Sequence, residues 1–156
     1  MDFVLDVDGV MTTGHFLYSE DGKRFKIFGP HDGDGLKMLK DKMRIKFITA
    51  DKRGFSITKK RIQEDMGFEL ELVSEGDRLT YIQNNFDVNN LIFMGDGFHD
   101  APVLKVCKFG IAPKNARREA KEAADFVTWS NSGEGAVLDA CLEIEKKFFG
   151  GENERL

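Results

Sequence analysis

The sequence predicts an α/β domain built on a mainly parallel sheet with helices on both faces, and two observations predict it. First, short apolar runs recur along the chain (Phe3-Val4-Leu5, Ile45–Thr49, Leu70–Val73, Leu91–Met94, Phe109–Ala112). Helical segments of roughly 8–15 residues separate them, the pattern of strands joined by crossover helices. Second, two of these runs end alike: Phe3-Val4-Leu5 runs into Asp6-Val7-Asp8-Gly9, and Leu91–Met94 runs into Gly95-Asp96. In an open α/β sheet the ligand crevice lies at the carboxyl ends of the strands, where those acids fall.

After the first strand, Phe16-Leu17-Tyr18-Ser19 and Arg24-Phe25-Lys26-Ile27-Phe28 flank the polar turn Glu20–Lys23, which predicts a β-hairpin inserted at about 15–28. Leu36, Leu39 and Met43 stand at helical spacing, with Asp32 or Asp34 available as a cap. Ile45–Thr49 is a strand, Phe55–Met66 a helix ending at Gly67, and Leu70–Val73 a short strand. A helix over Arg78–Asn85 precedes the Leu91–Met94 strand. A short helix at Ala101–Val106, a strand at Phe109–Ala112, a helix at Ala116–Ala123 and a last strand at Phe126-Val127 follow. Val137, Cys141, Ile144 and Phe148 form one stripe of a final helix. The order is that of a Rossmann-like, doubly wound domain over residues 1–149, with a loose polar tail at 150–156.

At 156 residues a single domain can bury about 68–70% of its unfolded surface. With 23 basic and 27 acidic residues the formal charge is −4, which weighs against a nucleic-acid surface. No apolar segment approaches the ~20 residues of a membrane helix, and the N-terminus lacks a signal-peptide layout. Cys107 and Cys141 lie in apolar stretches without metal-type spacing, so they read as reduced thiols of a cytoplasmic protein. His15, His31 and His99 are isolated, which argues against a zinc cluster.

The candidate site is spread over several strand ends. On a strand, residues two apart project to one side, so Asp6 and Asp8 should emerge together, and a bound cation would relieve their repulsion. Thr49 ends the next strand, Asp77-Arg78 opens a helix, and Gly95-Asp96-Gly97-Phe98-His99-Asp100 follows the fourth strand. Taken singly, Thr49 is an ordinary β-branched strand residue, Arg78 a solvated helix charge, and Asp100 either a helix N-cap or a metal ligand. Together, carboxylates, a hydroxyl and a cation at successive strand ends suit phosphoryl transfer, which is mostly positioning and charge neutralisation.

Asp6-Val7-Asp8-Gly9-Val10, Thr49, the basic residue at 78 and Gly95-Asp96-x-x-x-Asp100 resemble the four ordered motifs of the haloacid dehalogenase (HAD) superfamily. The hairpin, Asp32-Gly33-x-Gly35-Leu36-Lys37 and Gly133-Glu134-Gly135-Ala136-Val137 are similar to its cap-less subfamily containing 3-deoxy-manno-octulosonate 8-phosphate phosphatase. The resemblance implies a Mg²⁺-dependent phosphatase without a cap domain, acting on a phosphorylated 2-keto-3-deoxy sugar acid. It implies Asp6 as nucleophile and Asp8 as general acid and base. Mg²⁺ would be held by Asp6, the Asp8 main-chain carbonyl and Asp96, with Asp100 in the first or second shell. Thr49 and Arg78 would bind the phosphoryl group. It further implies a homotetramer with the hairpin at the subunit interface, where Phe16, Tyr18, Phe25 and Phe28 would supply apolar contacts.

Two departures stand out. The family places Lys where this chain has Arg78, and no Lys lies between Lys60 and Lys105 to replace it. After Thr49 the family continues Gly-Arg, whereas Ala50-Asp51-Lys52-Arg53-Gly54 follows here, about two residues longer, and Ala50, Lys52 and Arg53 are expected to meet substrate. Arg78 leaves open the alternative of a weakly active or non-catalytic assembly domain, as in the tail of some sialic-acid-activating enzymes.

Overall fold

The computed structural model describes residues 1–150, so the expected tail, apart from Gly150, lies outside the described residues. Six strands form one parallel sheet: β1 (Asp2–Asp6), β4 (Arg44–Thr49), β5 (Glu69–Leu72), β6 (Leu91–Met94), β7 (Phe109–Ala112) and β8 (Phe126–Val127). Their order is β5-β4-β1-β6-β7-β8. β1 is central, and the chain fills one side of it before crossing to the other, so the crevice opens beside β1. The inserted hairpin, β2 (Thr12–Ser19) and β3 (Gly22–Phe28), is a separate antiparallel ribbon. Among the described residues no cap domain interrupts this order.

The strand pleat divides the core in two. Phe3, Leu5, Phe47 and Ile92 meet Leu36 and Leu39 of α1 (Asp32–Leu39) and Val137, Cys141 and Ile144 of α6 (Ala136–Phe148). Val4, Ile48 and Phe93 face the other way, onto Ile82 of α3 (Arg78–Asn85), Val103 and Leu104 of α4 (Ala101–Val106) and Ala120 of α5 (Arg118–Ala123). Burial on both faces is why these strands read as continuous apolar runs. The expected helix over Phe55–Met66 has two parts: α2 (Phe55–Lys59) is regular, and Lys60–Asp65 is wound as a π-helix.

Two expectations are corrected. Neither Asp32 nor Asp34 caps α1, whose N-cap position is His31. Asp32 is buried and its Oδ1 accepts hydrogen bonds from the amides of Val137 (3.0 Å) and Leu138 (3.1 Å), so it caps α6, more than a hundred residues away. Gly133 (φ +71°) passes so close to the hairpin base that a Cβ would lie 2.6 Å from the Thr13 nitrogen. The Asp32 and Gly133–Val137 motifs are therefore halves of one clasp joining α1, the hairpin base and α6. Phe28 also departs from expectation: it packs against the domain's own core. Phe16, Tyr18 and Phe25 are exposed, as are Leu17 and Ile27.

Candidate active site

Asp6 is the last residue of β1, where the strand stops because the Val7 carbonyl accepts hydrogen bonds from the amides of Val10, Met11 and Thr12. Its carboxylate is buried, with Oδ1 accepting from the Val7 amide at 2.9 Å. Asp8 thus lies in a turn rather than on the strand, and the expected Asp6–Asp8 pair projecting from one strand face does not form. The Asp8 charge is met elsewhere: Lys26 Nζ lies 2.9 Å from its Oδ2, and Thr12 Oγ1 lies 3.4 Å from its Oδ1. Gly9 (φ +80°) completes the turn, and a Cβ there would run into the Asp96 carboxylate. Only glycine meets both the left-handed backbone and that close approach.

Register places the remaining groups. Ile48 of β4 pairs with Asp6, so Thr49 stands one residue further toward the cleft. Thr49 is buried, and its Oγ1 accepts from the Asp51 amide at 3.2 Å, leaving its own hydroxyl hydrogen to donate. Arg78 opens α3 but is not a solvated helix charge. Its side chain is 3% exposed, 2.7 Å from Asp100 Oδ1 and 3.4 Å from Asp6 Oδ2. At the end of β6, Asp100 Oδ2 accepts from the amides of Asp96 (3.0 Å) and Gly97 (2.9 Å). Its side chain therefore folds back on the loop and does not cap α4.

Asp6, Asp96 and Asp100 each bring a carboxylate oxygen within 4.8 Å of the others. Burial, with the charges of Asp100, Asp96 and Asp8 beside it, pushes the Asp6 carboxyl well above the usual range, with Arg78 pulling the other way. Burial and the Asp100 charge raise Asp96 to about 6. Burial works against the Arg78 charge, but Asp6 and Asp100 outweigh it and hold the guanidinium above its ordinary value. An all-oxygen set whose mutual repulsion leaves it short of positive charge fits a hard divalent cation. Asp100 fits a supporting place, since both its oxygens are already engaged by protein donors.

The site opens into a cleft of about 880 Å³, lined among others by Asp6, Asp8, Thr49, Ala50, Lys52, Arg78 and Asp96. Arg53, expected to meet substrate, is exposed and does not line it. Lys26 escaped the sequence reading. It lies on β3 with exposed Phe25 and Ile27 on either side, yet its own side chain is wholly buried. That strand turns apolar groups outward and a charge inward, an inverted alternation that was the available signal. Lys26 also reaches Asp51 Oδ2 (2.9 Å) and Thr58 Oγ1 (2.7 Å), and Lys23 joins the same Asp51 oxygen at 2.7 Å. Burial works against the Asp51 charge, but the bonds from Lys23 and Lys26 hold its carboxyl at about 2.

A central parallel sheet with buried acids at the ends of β1 and β6 and a cation between them is the architecture of a haloacid dehalogenase-like hydrolase, and residues 73–140 match the family of that description. The 3-deoxy-D-manno-octulosonate 8-phosphate phosphatase KdsC of Haemophilus influenzae is 30% identical over 152 residues, covering 92% of this chain and 83% of that protein. A probable YrbI-family phosphatase structure from Pseudomonas syringae superimposes with a TM-score of 0.85 at 28% identity, covering 99% of this chain and 89% of that one. The cobalt-bound octulosonate 8-phosphate phosphatase from Haemophilus influenzae gives 0.81 at 25% identity, covering 99% and 92%. The chain belongs to this family of haloacid dehalogenase-like phosphatases.

Proposed function

We propose that the chain is a Mg²⁺-dependent phosphomonoesterase that hydrolyses a phosphorylated 2-keto-3-deoxy sugar acid, of the 3-deoxy-manno-octulosonate 8-phosphate kind, through an aspartyl-phosphate on Asp6. One observation carries the reading: a buried carboxylate at the floor of an open cleft, 3.4 Å from a buried guanidinium and within 4.8 Å of two further carboxylates.

Asp6 attacks phosphorus in line, the ester P–O bond breaks, and the leaving oxygen takes the proton of the Asp8 carboxyl. Asp8 then takes a proton from the water that hydrolyses the aspartyl-phosphate, which frees Asp6. Thr49 donates its hydroxyl hydrogen to a phosphoryl oxygen, and Arg78 faces the charge that builds up there. Asp6, Asp96 and the main-chain carbonyl of Asp8 would hold Mg²⁺, while Asp100 fixes Arg78 and the Asp96–Gly97 loop from behind. When bound, the ion offsets the negative charge of the phosphoryl group and the nucleophile. The oxygen-only donors and the cobalt-bound relative support a divalent cation at this place.

Lys52 and Ala50 line the cleft next to Thr49, and Lys52 suits the carboxylate of a sugar acid; Arg53 would meet it only from outside the cleft lining. The apolar ridge of Phe16, Leu17, Tyr18, Phe25 and Ile27 supports a hairpin-mediated homotetramer. Two free cysteines suit a cytoplasmic setting. The test is phosphate release from a panel of sugar-acid phosphates with Mg²⁺ and with EDTA. Mg²⁺-dependent turnover of one 2-keto-3-deoxy acid phosphate is expected, and silence across the panel would overturn the reading.

A further inference from the structure

We propose that Lys26, reaching in from the hairpin, is a positioning residue for leaving-group protonation: it fixes the Asp8 carboxyl and ties it to the loop that follows Thr49. This rests on the phosphatase reading above. The Lys26 side chain is wholly buried, and its ammonium has one partner for each of its three hydrogens: Asp8 Oδ2 at 2.9 Å, Asp51 Oδ2 at 2.9 Å and Thr58 Oγ1 at 2.7 Å. A buried ammonium is retained only where its desolvation is offset, and here the Asp51 carboxylate, Asp8 Oδ2 and the Thr58 hydroxyl offset it. Asp8 Oδ1, with only the long contact from Thr12 Oγ1, is the oxygen that carries the proton to be donated.

The contact joins the hairpin to the turn after β1 through Asp8, to the loop after Thr49 through Asp51, and to α2 through Thr58. Asp8 sits in that turn, off the strand, and its other contact, to Thr12 Oγ1, is long at 3.4 Å. Lys26 is therefore the principal restraint on where the Asp8 carboxyl points. In the step concerned, an Asp6 oxygen bonds to phosphorus, the ester P–O bond breaks with its electron pair on the leaving oxygen, and that oxygen takes the Asp8 proton. A misdirected Asp8 slows this step in proportion to the basicity of the leaving oxygen.

The test is kcat/KM, which reports only steps through leaving-group departure, for the full-length wild type and Lys26→Met on p-nitrophenyl and phenyl phosphate. These esters have nearly the same shape and differ in how much the leaving oxygen needs a proton. The loss for phenyl phosphate should exceed that for p-nitrophenyl phosphate by about tenfold or more. Equal losses, or none, would overturn the assignment and reduce Lys26 to a structural ion pair. A wild type silent on both esters and on the sugar-acid panel above would overturn the phosphatase reading itself, and this assignment with it. Where it turns over only a sugar-acid phosphate, whose alkyl leaving oxygen is strongly basic, a Lys26→Met kcat/KM on that ester no lower than the wild type's would overturn the assignment alone. Should Lys26→Met fail to fold, Thr58→Val leaves both carboxylates paired and is expected to give a smaller loss graded in the same direction; an ungraded result there overturns the proposal as well.

Discussion

Arg78 donates to Asp100 at 2.7 Å while standing 3.4 Å from Asp6, so one guanidinium bridges the acid that organises the β6 loop and the acid at the end of β1. Among the described residues its Nε has no hydrogen-bond partner. A planar, forked cation can keep Asp100 on one nitrogen and offer other N–H groups to a phosphate, which a lysine ammonium at this position cannot do in the same way.

Arg78→Ala should lower kcat/KM by about 10²–10³-fold through lost charge stabilisation. It should also lower folding stability by about 3–5 kcal/mol, because Asp100 and Asp6 lose their buried counter-charge. Arg78→Lys should fold and lose less on both counts. Steady-state kinetics paired with urea unfolding of the two variants checks this.

The acid cluster predicts a pH dependence in the metal-free protein. Asp96 is raised to about 6 and Asp6 is raised well above its ordinary value. Between about pH 4 and 6 the folded chain therefore holds protons that the unfolded chain, with carboxyls at ordinary values, has released. Stability in EDTA should fall as pH rises through that window. Saturating Mg²⁺ needs the ionised carboxylates, so it should remove the fall and bind more weakly below about pH 6. Thermal melts at pH 5 and pH 7, with EDTA and with Mg²⁺, read both effects, and a cation shift that grows toward low pH would count against the site.

Asp32 belongs to the frame and not to the cleft. Asp32→Ala removes the acceptor of the first α6 amides and should cost about 1–2 kcal/mol, with kcat unchanged per folded molecule. Asp32→Asn keeps an acceptor oxygen and should cost less. Urea midpoints and turnover on the same preparations separate the two roles.

The hairpin ridge is tested by Phe25→Glu, which sets a charge on its exposed face. Light scattering should find dissociation of a tetramer into smaller species with unchanged circular dichroism. A wild type that is monomeric at micromolar concentration would contradict the proposed assembly.

How much of this was legible in the sequence depends on how local each feature is. The ends of β1, β4 and β6 were readable, because an apolar run followed by Asp or Thr marks a strand meeting solvent at the ligand edge. Asp8 was foreseen in the right neighbourhood with the wrong geometry: strand periodicity stops at Asp6, where the Val7 carbonyl gathers three amides. The inverted alternation of β3 marks Lys26 as unusual, but the partners of Lys26 and Asp32 were not legible. Each residue is satisfied by partners on other elements, Asp51 and Thr58 for one, the α6 amides for the other, and only the tertiary fold brings them together. The burial of Arg78 was missed for the same reason, since its partners arrive from the ends of β1 and β6.

The most direct test of the central claim is phosphate release from 3-deoxy-manno-octulosonate 8-phosphate with Mg²⁺, by the wild type and by Asp6→Asn side by side. The wild type should turn over and the variant should not, while the variant's metal-free melting temperature does not fall, since it loses a buried carboxyl that is costly to ionise. Full activity in Asp6→Asn would contradict Asp6 as nucleophile, and a silent wild type would contradict the proposed substrate.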